Sequence, residues 1–325
     1  MFLATIRFGL SAGLVVLTSC LSASAQTSVD ALPSWNDGKA KQAILDFVRS
    51  TTDAASTSYV LPEDRIATFD QDGTLWVEHP IYTQVVYGLE RVPALVTTKP
   101  ELKNIEPFKT VLSRNREAIA KLSTDDNLKI LGATLSGMSV DQYKAEAKHW
   151  LDTARDPRWK RPYTDLTYLP MIELLKYLRA NSYRTYIVSG GGQDFLRVYA
   201  QEVYGVPPEQ VVGTASVNKF GYDKNGKPFL TKEPKLLLND NDAGKPEGIH
   251  LMIGRRPSPR SATRPATGRY WSTPRPATAP AWECYCCTTT PSASTPTARR
   301  AACPTPRSAR SPRPWTTRRR SAAGS

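Results

Sequence analysis

The sequence has no cysteine between Cys20 and Cys284, so no disulfide can stabilise the greater part of the chain. Histidine is also scarce. The three that occur, His79, His149 and His250, lack the spacing of a metal-ligand pair. These two absences exclude a small disulfide-stabilised fold and a histidine-based metal centre, and we expect the histidines to be structural.

A strong charge of one sign is absent from most of the chain, although the formal net charge is +13. The residues from Pro257 to Ser325 contain 12 arginines and one glutamate, whereas those from Gln26 to Arg256 carry a net charge of only +1. A basic body that attracts nucleic acid is therefore excluded, and no nucleic-acid partner is expected. Apolar residues make up 40% of the chain, which excludes a fibrous or wholly disordered protein.

Residues 1–25 have the pattern of an export signal. Arg7 gives the positive start, Leu10 to Leu17 an apolar stretch too short to span a bilayer, and Ala23-Ser24-Ala25 a cleavage site. We therefore predict a periplasmic or secreted protein. Leu17-Thr18-Ser19-Cys20 also resembles a lipobox, so lipidation at Cys20 is the alternative, and the only one that would place the protein on a membrane.

Composition changes abruptly at residue 257. From there to residue 325 the chain has no Leu, Ile, Val, Met or Phe, and is rich in Pro, Arg, Ala, Ser and Thr. Such a segment cannot form an apolar core, and we predict that it is disordered. Two origins stay open: a natural basic tail, and translation of the gene in a wrong reading frame.

The genetic code favours the second origin. In the shifted frame, Cys284 to Cys287 encode Leu-Leu-Leu, which is typical of a buried strand. The same shift across Arg260 to Thr267 permits Phe-Gly-Asn-Ser-Thr-Gly-Asp. The frameshift interpretation implies that the arginine runs have no evolved function.

Between these terminal segments, apolar periodicity and turn residues predict alternating strands and helices. Alternation of this kind indicates an α/β fold with a Rossmann-like parallel sheet covered by helices. The predicted strands are Arg65 to Asp70, Arg184 to Ser189 and Val211 to Val217; the predicted helices are Lys39 to Ser50, Tyr168 to Arg179, Gln193 to Tyr204 and one beginning at Glu247, with a mostly helical stretch from Tyr82 to Trp159 and a hairpin turn at Lys224 to Lys227.

Three short motifs fall at strand ends or helix starts, where an open parallel sheet binds its ligands. They are Asp70-Gln71-Asp72-Gly73-Thr74, Ser189-Gly190-Gly191 and Gly244-Lys245-Pro246. Two carboxylates two residues apart can share Mg²⁺, and one of them can attack phosphorus while the other transfers a proton. A serine before glycines suits phosphate oxygens, and a lysine offers a positive charge to the transferring group. Together the motifs predict a phosphate site.

In their order and residues, these motifs resemble those of the haloacid dehalogenase superfamily of phosphohydrolases. The resemblance implies that Asp70 is the nucleophile and a Mg²⁺ ligand. It also implies that Asp72 is the general acid and base and binds Mg²⁺ through its backbone carbonyl. It further implies that Thr74, Ser189 and Gly190 bind phosphate and that Lys245 stabilises nucleophile and phosphate. Ser189-Gly190-Gly191 is similar to the branch of phosphoserine phosphatases, which has a helical cap and a substrate-binding glutamate, for which Glu78 is a candidate.

The resemblance also implies a division of the chain. We predict an N-terminal helix and linker over 26–64, a Rossmann-like core over 65–80 and 160–256, and a helical cap over 81–159. The superfamily's fourth, acidic motif is missing from the printed chain, because no Asp follows Asp242. The shifted frame supplies it, so we predict that the chain as printed binds Mg²⁺ poorly and folds marginally.

The function that follows is an exported, Mg²⁺-dependent hydrolase of small phosphomonoesters, acting through an aspartyl-phosphate and impaired in this chain. The alternative is a non-catalytic protein that binds phosphate-like ligands or polyanions. Each motif also has a simpler interpretation: Asp-x-Asp-Gly as a surface turn, Ser189 with its glycines as a strand-to-helix connection, and Lys245 and Glu78 as ordinary polar residues.

Overall fold

The computed structural model describes residues 30–255. The predicted signal peptide and the predicted frameshifted tail lie outside these residues. No helix within residues 30–255 combines the length and the apolar character that a bilayer-spanning segment needs. The described elements, in chain order, are α1 (Lys39–Thr52), β1 (Ile66–Phe69), α2 (Thr83–Thr98), α3 (Phe108–Leu112), α4 (Arg116–Ala120), α5 (Thr124–Leu135), α6 (Val140–Thr153), α7 (Leu169–Ala180), β2 (Arg184–Gly192), α8 (Gln193–Arg197), α9 (Ala200–Tyr204), β3 (Val211–Tyr222), β4 (Pro228–Leu238) and α10 (Gly244–Ile253).

The described sheet has four strands in the order β1-β2-β3-β4. The first three are parallel, with Ile66 opposite Arg184 and Ile187 opposite Val211, and β4 returns antiparallel to β3. Every residue of β1 is buried, as expected for a strand of a parallel sheet with both faces covered. The predicted α/β fold is confirmed, with an antiparallel fourth strand added by the hairpin after Tyr222.

Helices α2 to α7 form an insertion between β1 and β2. Of these, α2 to α6 lie in the mostly helical stretch predicted from Tyr82 to Trp159, and α7 is the helix predicted from Tyr168 to Arg179. Val92, Phe108, Val111 and Ile130 form an apolar cluster of their own there. Other side chains of these helices, such as Tyr87, belong to the main core beneath the sheet. The boundaries of a separate cap at 81 and 159 therefore stay a prediction.

Several predicted element boundaries differ from the structure. Strand β3, predicted to end at Val217, continues to Tyr222, where it pairs with β4. Strand β2 continues through the glycines to Gly192, with a register shift against β3 after Ser189. The helix predicted for Gln193 to Tyr204 is two short helices, because Val198 and Tyr199 donate to carbonyls three residues back and the regular helical pattern is interrupted. Helix α10 begins at Gly244, three residues earlier than predicted, since a proline is tolerated in a first turn.

Gly244 lies where the chain packs too closely for any side chain. A Cβ atom at this position would overlap the backbone carbonyl of Asn239, which cannot rotate away. We expect Gly244→Ala to lower the free energy of unfolding by about 2 kcal/mol or more, the range of overpacking substitutions. Urea denaturation followed by circular dichroism measures this change.

Gly132 provides the matched control, because it lies inside α5 with nothing within 4 Å of the Cβ position. Gly132→Ala should stabilise the protein by up to about 1 kcal/mol, the helix-propensity difference. Equal effects of the two substitutions would contradict the close packing at Gly244.

Candidate active site

The segment after β1 folds into a tight turn that fixes the first motif. The backbone N–H groups of Thr74 and Leu75 donate to the carbonyl oxygen of Gln71 at 3.2 and 2.8 Å, and Gly73 N donates to Trp76 O at 3.0 Å. Gly73 has a φ of 69°, which glycine adopts without steric cost. The turn thereby places the carboxyl groups of the motif at the carboxyl end of β1.

Asp70 forms an ion pair with Lys245, whose side chain comes from the first turn of α10. Asp70 Oδ2 lies 2.8 Å from Lys245 Nζ, and Lys245 also donates to the carbonyl oxygen of Val188 at 3.0 Å. The lysine is only 3% exposed. Since Val188 directly precedes Ser189, this one ammonium group connects the ends of β1, β2 and α10. The structure thus brings the first and third predicted motifs into direct contact.

Asp72 lies in a different environment from Asp70. Its Oδ1 accepts a hydrogen bond from Trp76 Nε1 at 2.7 Å. The pKa of Asp72 is raised to about 7, chiefly by burial; the indole hydrogen bond and Lys245 oppose the rise, and the carboxylates of Asp70 and Glu78 add to it. At neutral pH this carboxyl group can therefore both give and take a proton.

The second motif lies at the end of β2, beside Lys245. Ser189 is 1% exposed, and its Oγ accepts a hydrogen bond from Gly191 N at 3.2 Å. The carbonyl oxygen of Gly190 accepts from Thr214 Oγ1 at 2.8 Å. A Cβ atom on Gly190 would overlap the side chain of the exposed Asn241, which would have to move away from the strand end.

Two further predicted residues lie on the turn of the first motif or against it. The carboxylate of Glu78 packs over Gly73, with Oε2 2.6 Å from the position of a Cβ atom. Its side chain is 35% exposed and lies 3.5 Å from His79 Nε2. Thr74 is half-buried within the turn. Glu78 therefore faces the same region as Asp72, as a substrate-contacting residue must.

Asp240 is a residue of this region that the sequence analysis missed. It is fully buried. Its pKa is raised to about 8, chiefly by burial; Lys245 and the Ser189 backbone N–H oppose the rise, and the Asp70 carboxylate adds to it. The run Asn239-Asp240-Asn241-Asp242 looks like an exposed turn in the sequence, and no pattern marks its second member as buried.

The oxygen donors at this site suit Mg²⁺ in type but not in number. Mg²⁺ prefers carboxylate oxygens and water, and Asp70 and Asp72 provide two carboxylates. Residues 30–255 contain no group of three or more His, Cys, Asp or Glu side chains arranged to hold a metal ion. The ligand set in the described part of the chain is thus incomplete for a metal site made of protein side chains.

The comparison with known families decides the identity of this fold and site. The model of the haloacid dehalogenase-like hydrolases matches residues 65–247, more than half of the chain. The chain belongs to the haloacid dehalogenase-like hydrolase family. The matched range begins just before β1 and ends just after Lys245, so it spans all three motifs of this hydrolase.

Solved structures similar to this haloacid dehalogenase-like hydrolase are remote. A Bordetella pertussis protein of unknown function has 13% identity and a TM-score of 0.38, covering 58% of this chain and 74% of its own. A phosphoserine phosphohydrolase-like protein from Francisella tularensis has 20% identity and a TM-score of 0.31, covering 59% and 73%. TM-scores this low do not indicate a function. No curated protein matches the sequence.

Proposed function

We propose that this hydrolase cleaves small phosphomonoesters, with Asp70 as nucleophile. The observation that carries the proposal is the buried Lys245 beside Asp70 Oδ2 at 2.8 Å, next to a second carboxyl group whose pKa is about 7. The ion pair with the Lys245 ammonium group holds the Asp70 carboxylate in a fixed position at the end of β1, where it can attack a bound phosphoryl group. The same ammonium group can balance negative charge on a phosphoryl group at the nucleophile.

In the first proposed step, Asp70 attacks the phosphorus atom of the substrate. A bond forms between phosphorus and a carboxylate oxygen, and the bond from phosphorus to the ester oxygen breaks. Asp72, protonated in part of the molecules at neutral pH, gives its proton to the departing oxygen. The products of this step are an alcohol and an aspartyl-phosphate on Asp70.

In the second step, the ionised Asp72 takes a proton from water while the water oxygen attacks phosphorus. The acyl-phosphate bond breaks, which releases inorganic phosphate and regenerates the carboxylate of Asp70. Ser189, Gly190 and Thr74 are proposed to bind the phosphoryl oxygens during both steps. Asp72 therefore acts as acid and then as base, a double role that suits a pKa near the working pH.

We propose Mg²⁺ as the cofactor, with Asp70 and Asp72 among its ligands. When bound, such an ion polarises phosphoryl oxygens as a Lewis acid. Glu78 is the proposed substrate contact beyond the phosphate. The substrate would then be a small phosphorylated molecule. The predicted export signal of residues 1–25 supports the further proposal that the reaction occurs in the periplasm or outside the cell.

The test is hydrolysis of a generic phosphomonoester, p-nitrophenyl phosphate, by the full chain with Mg²⁺ and with EDTA. We expect phosphate release that requires the metal, together with a phosphorylated protein that hydroxylamine cleaves, as acyl phosphates are cleaved. A second chain, with one base restored between the codons for Arg255 and Arg260, is assayed in parallel.

The two chains separate the possible results. A slow printed chain and a fast restored chain would support both the phosphatase and the frameshift interpretation. Equal, metal-dependent turnover would support the phosphatase and contradict the frameshift. Absence of turnover in both chains, with both folded, would contradict the proposed reaction.

A further inference from the structure

A glutamine of helix α2 contacts the glycine segment that ends β2. Gln84 Oε1 accepts a hydrogen bond from the backbone N–H of Gly192 at 2.6 Å. The positions of a Cβ atom on Gly191 and Gly192 lie 3.4 Å and 2.5 Å from the Gln84 amide. The amide thus lies directly against the backbone of the glycine segment, and larger residues there would displace it.

Buried neighbours of Gln84 hold its side-chain amide in one orientation. Gln84 also hydrogen-bonds the side chain of Tyr143 on α6, which is 2% exposed. Lys232 Nζ lies 5.3 Å from the centre of the Tyr143 ring and 2.5 Å from Asp194 Oδ2. Because Asp194 follows the glycine segment in α8 and Lys232 lies on β4, these contacts connect the C-terminal end of the segment to α6 through β4.

The Gln84 hydrogen bond affects the conformation of the residues proposed to bind phosphate. Gly191 N donates to Ser189 Oγ, so the serine hydroxyl keeps its own proton for another acceptor. This arrangement depends on the path of the backbone through Gly192, which Gln84 holds. Building on the proposed function, we propose that Gln84 is a positioning residue that holds the glycine segment in its phosphate-binding conformation.

The experiment measures binding of inorganic phosphate to the full chain by titration calorimetry in Mg²⁺ buffer, and hydrogen exchange of the peptide covering residues 189–193. Gln84→Met removes the acceptor while keeping side-chain length. We expect about tenfold weaker phosphate binding, the effect of one backbone hydrogen bond, and faster exchange at Gly192. Gln84→Glu keeps an acceptor oxygen, so it should restore slow exchange but not affinity, because its charge repels phosphate.

Gln142→Met is the matched control. Gln142 forms the capping box of α6 with Ser139, so its loss destabilises the insertion without touching the glycine segment. The thermal unfolding midpoint of the Gln142→Met protein should fall, while its phosphate affinity and its hydrogen exchange at Gly192 stay at the wild-type values. A wild-type affinity for phosphate in the Gln84→Met protein would overturn this inference and leave the proposed function standing. A wild-type chain that binds no phosphate would overturn the proposed function and the inference with it.

Discussion

Asp70→Asn is expected to abolish phosphomonoester hydrolysis, with a loss of turnover of more than about a thousandfold. An amide is a far weaker nucleophile than a carboxylate and does not form the acyl phosphate. The substitution also removes the partner of Lys245, whose ammonium group is 2.8 Å from Asp70 Oδ2 and buried. Initial rates with p-nitrophenyl phosphate measure the loss.

Retention of the fold must be shown separately, because removing one charge of a buried ion pair can cost about 3–5 kcal/mol. Asp46→Asn on α1 is the control, since Asp46 pairs with Arg49 on the exposed surface and its change should leave activity and stability unaltered. Adding Lys245→Met to Asp70→Asn should recover stability but no turnover. Substantial hydrolysis by folded Asp70→Asn would exclude this residue as the nucleophile.

The contact between Asp70 and Lys245 joins residues far apart in the sequence, yet it could be anticipated. Each residue lies next to a recognisable boundary: Asp70 after a continuous apolar strand, and Lys245 beside a glycine and a proline at a helix start. Parallel topology brings such boundaries to one edge of the sheet. The order of the motifs therefore carried enough information to predict the pair.

The glycine segment shows where local patterns are insufficient. Three glycines favour a break between strand and helix, but pairing with β3 extends β2 through them. The glycines let side chains lie close to the backbone: Asn241 at Gly190 and Gln84 at Gly192. Gln84 itself occupies an ordinary position in a helix, and only the packing of α2 against β2 gives it a partner. Contacts of this kind depend on tertiary structure that no local pattern encodes.

Asp240 gives the second large expected effect, a loss of stability as pH rises. Its pKa is about 8 in the folded protein, against an ordinary value near 3.9 when unfolded. Between those pH values the folded state keeps a proton that the unfolded state has lost. The free energy of unfolding therefore falls with pH, by at most about 1.4 kcal/mol per unit.

Replacing Asp240 with asparagine should remove the part of the pH dependence that Asp240 causes, because the amide resembles the protonated carboxyl group and never ionises. At pH 7 we expect Asp240→Asn to be more stable than the wild type by about 4 kcal/mol, and at pH 4.5 by only about 1 kcal/mol. Urea denaturation in EDTA at pH 4.5, 6, 7 and 8 measures the difference, without metal binding to the carboxylates.

Two comparisons make this result specific to Asp240. Asp242→Asn changes an exposed neighbour in the same loop and should leave the pH dependence intact. Asp72, with its pKa raised to about 7, contributes a fall of the same sign, so Asp240→Asn should remove only part of the wild-type slope and Asp72→Asn much of the remainder. A slope unchanged in Asp240→Asn would mean that this carboxyl group ionises as freely in the folded protein as in the unfolded chain. A reduced slope would mean that the site keeps a neutral carboxylic acid close to an ionised nucleophile, which lowers the repulsion that a second buried negative charge would add.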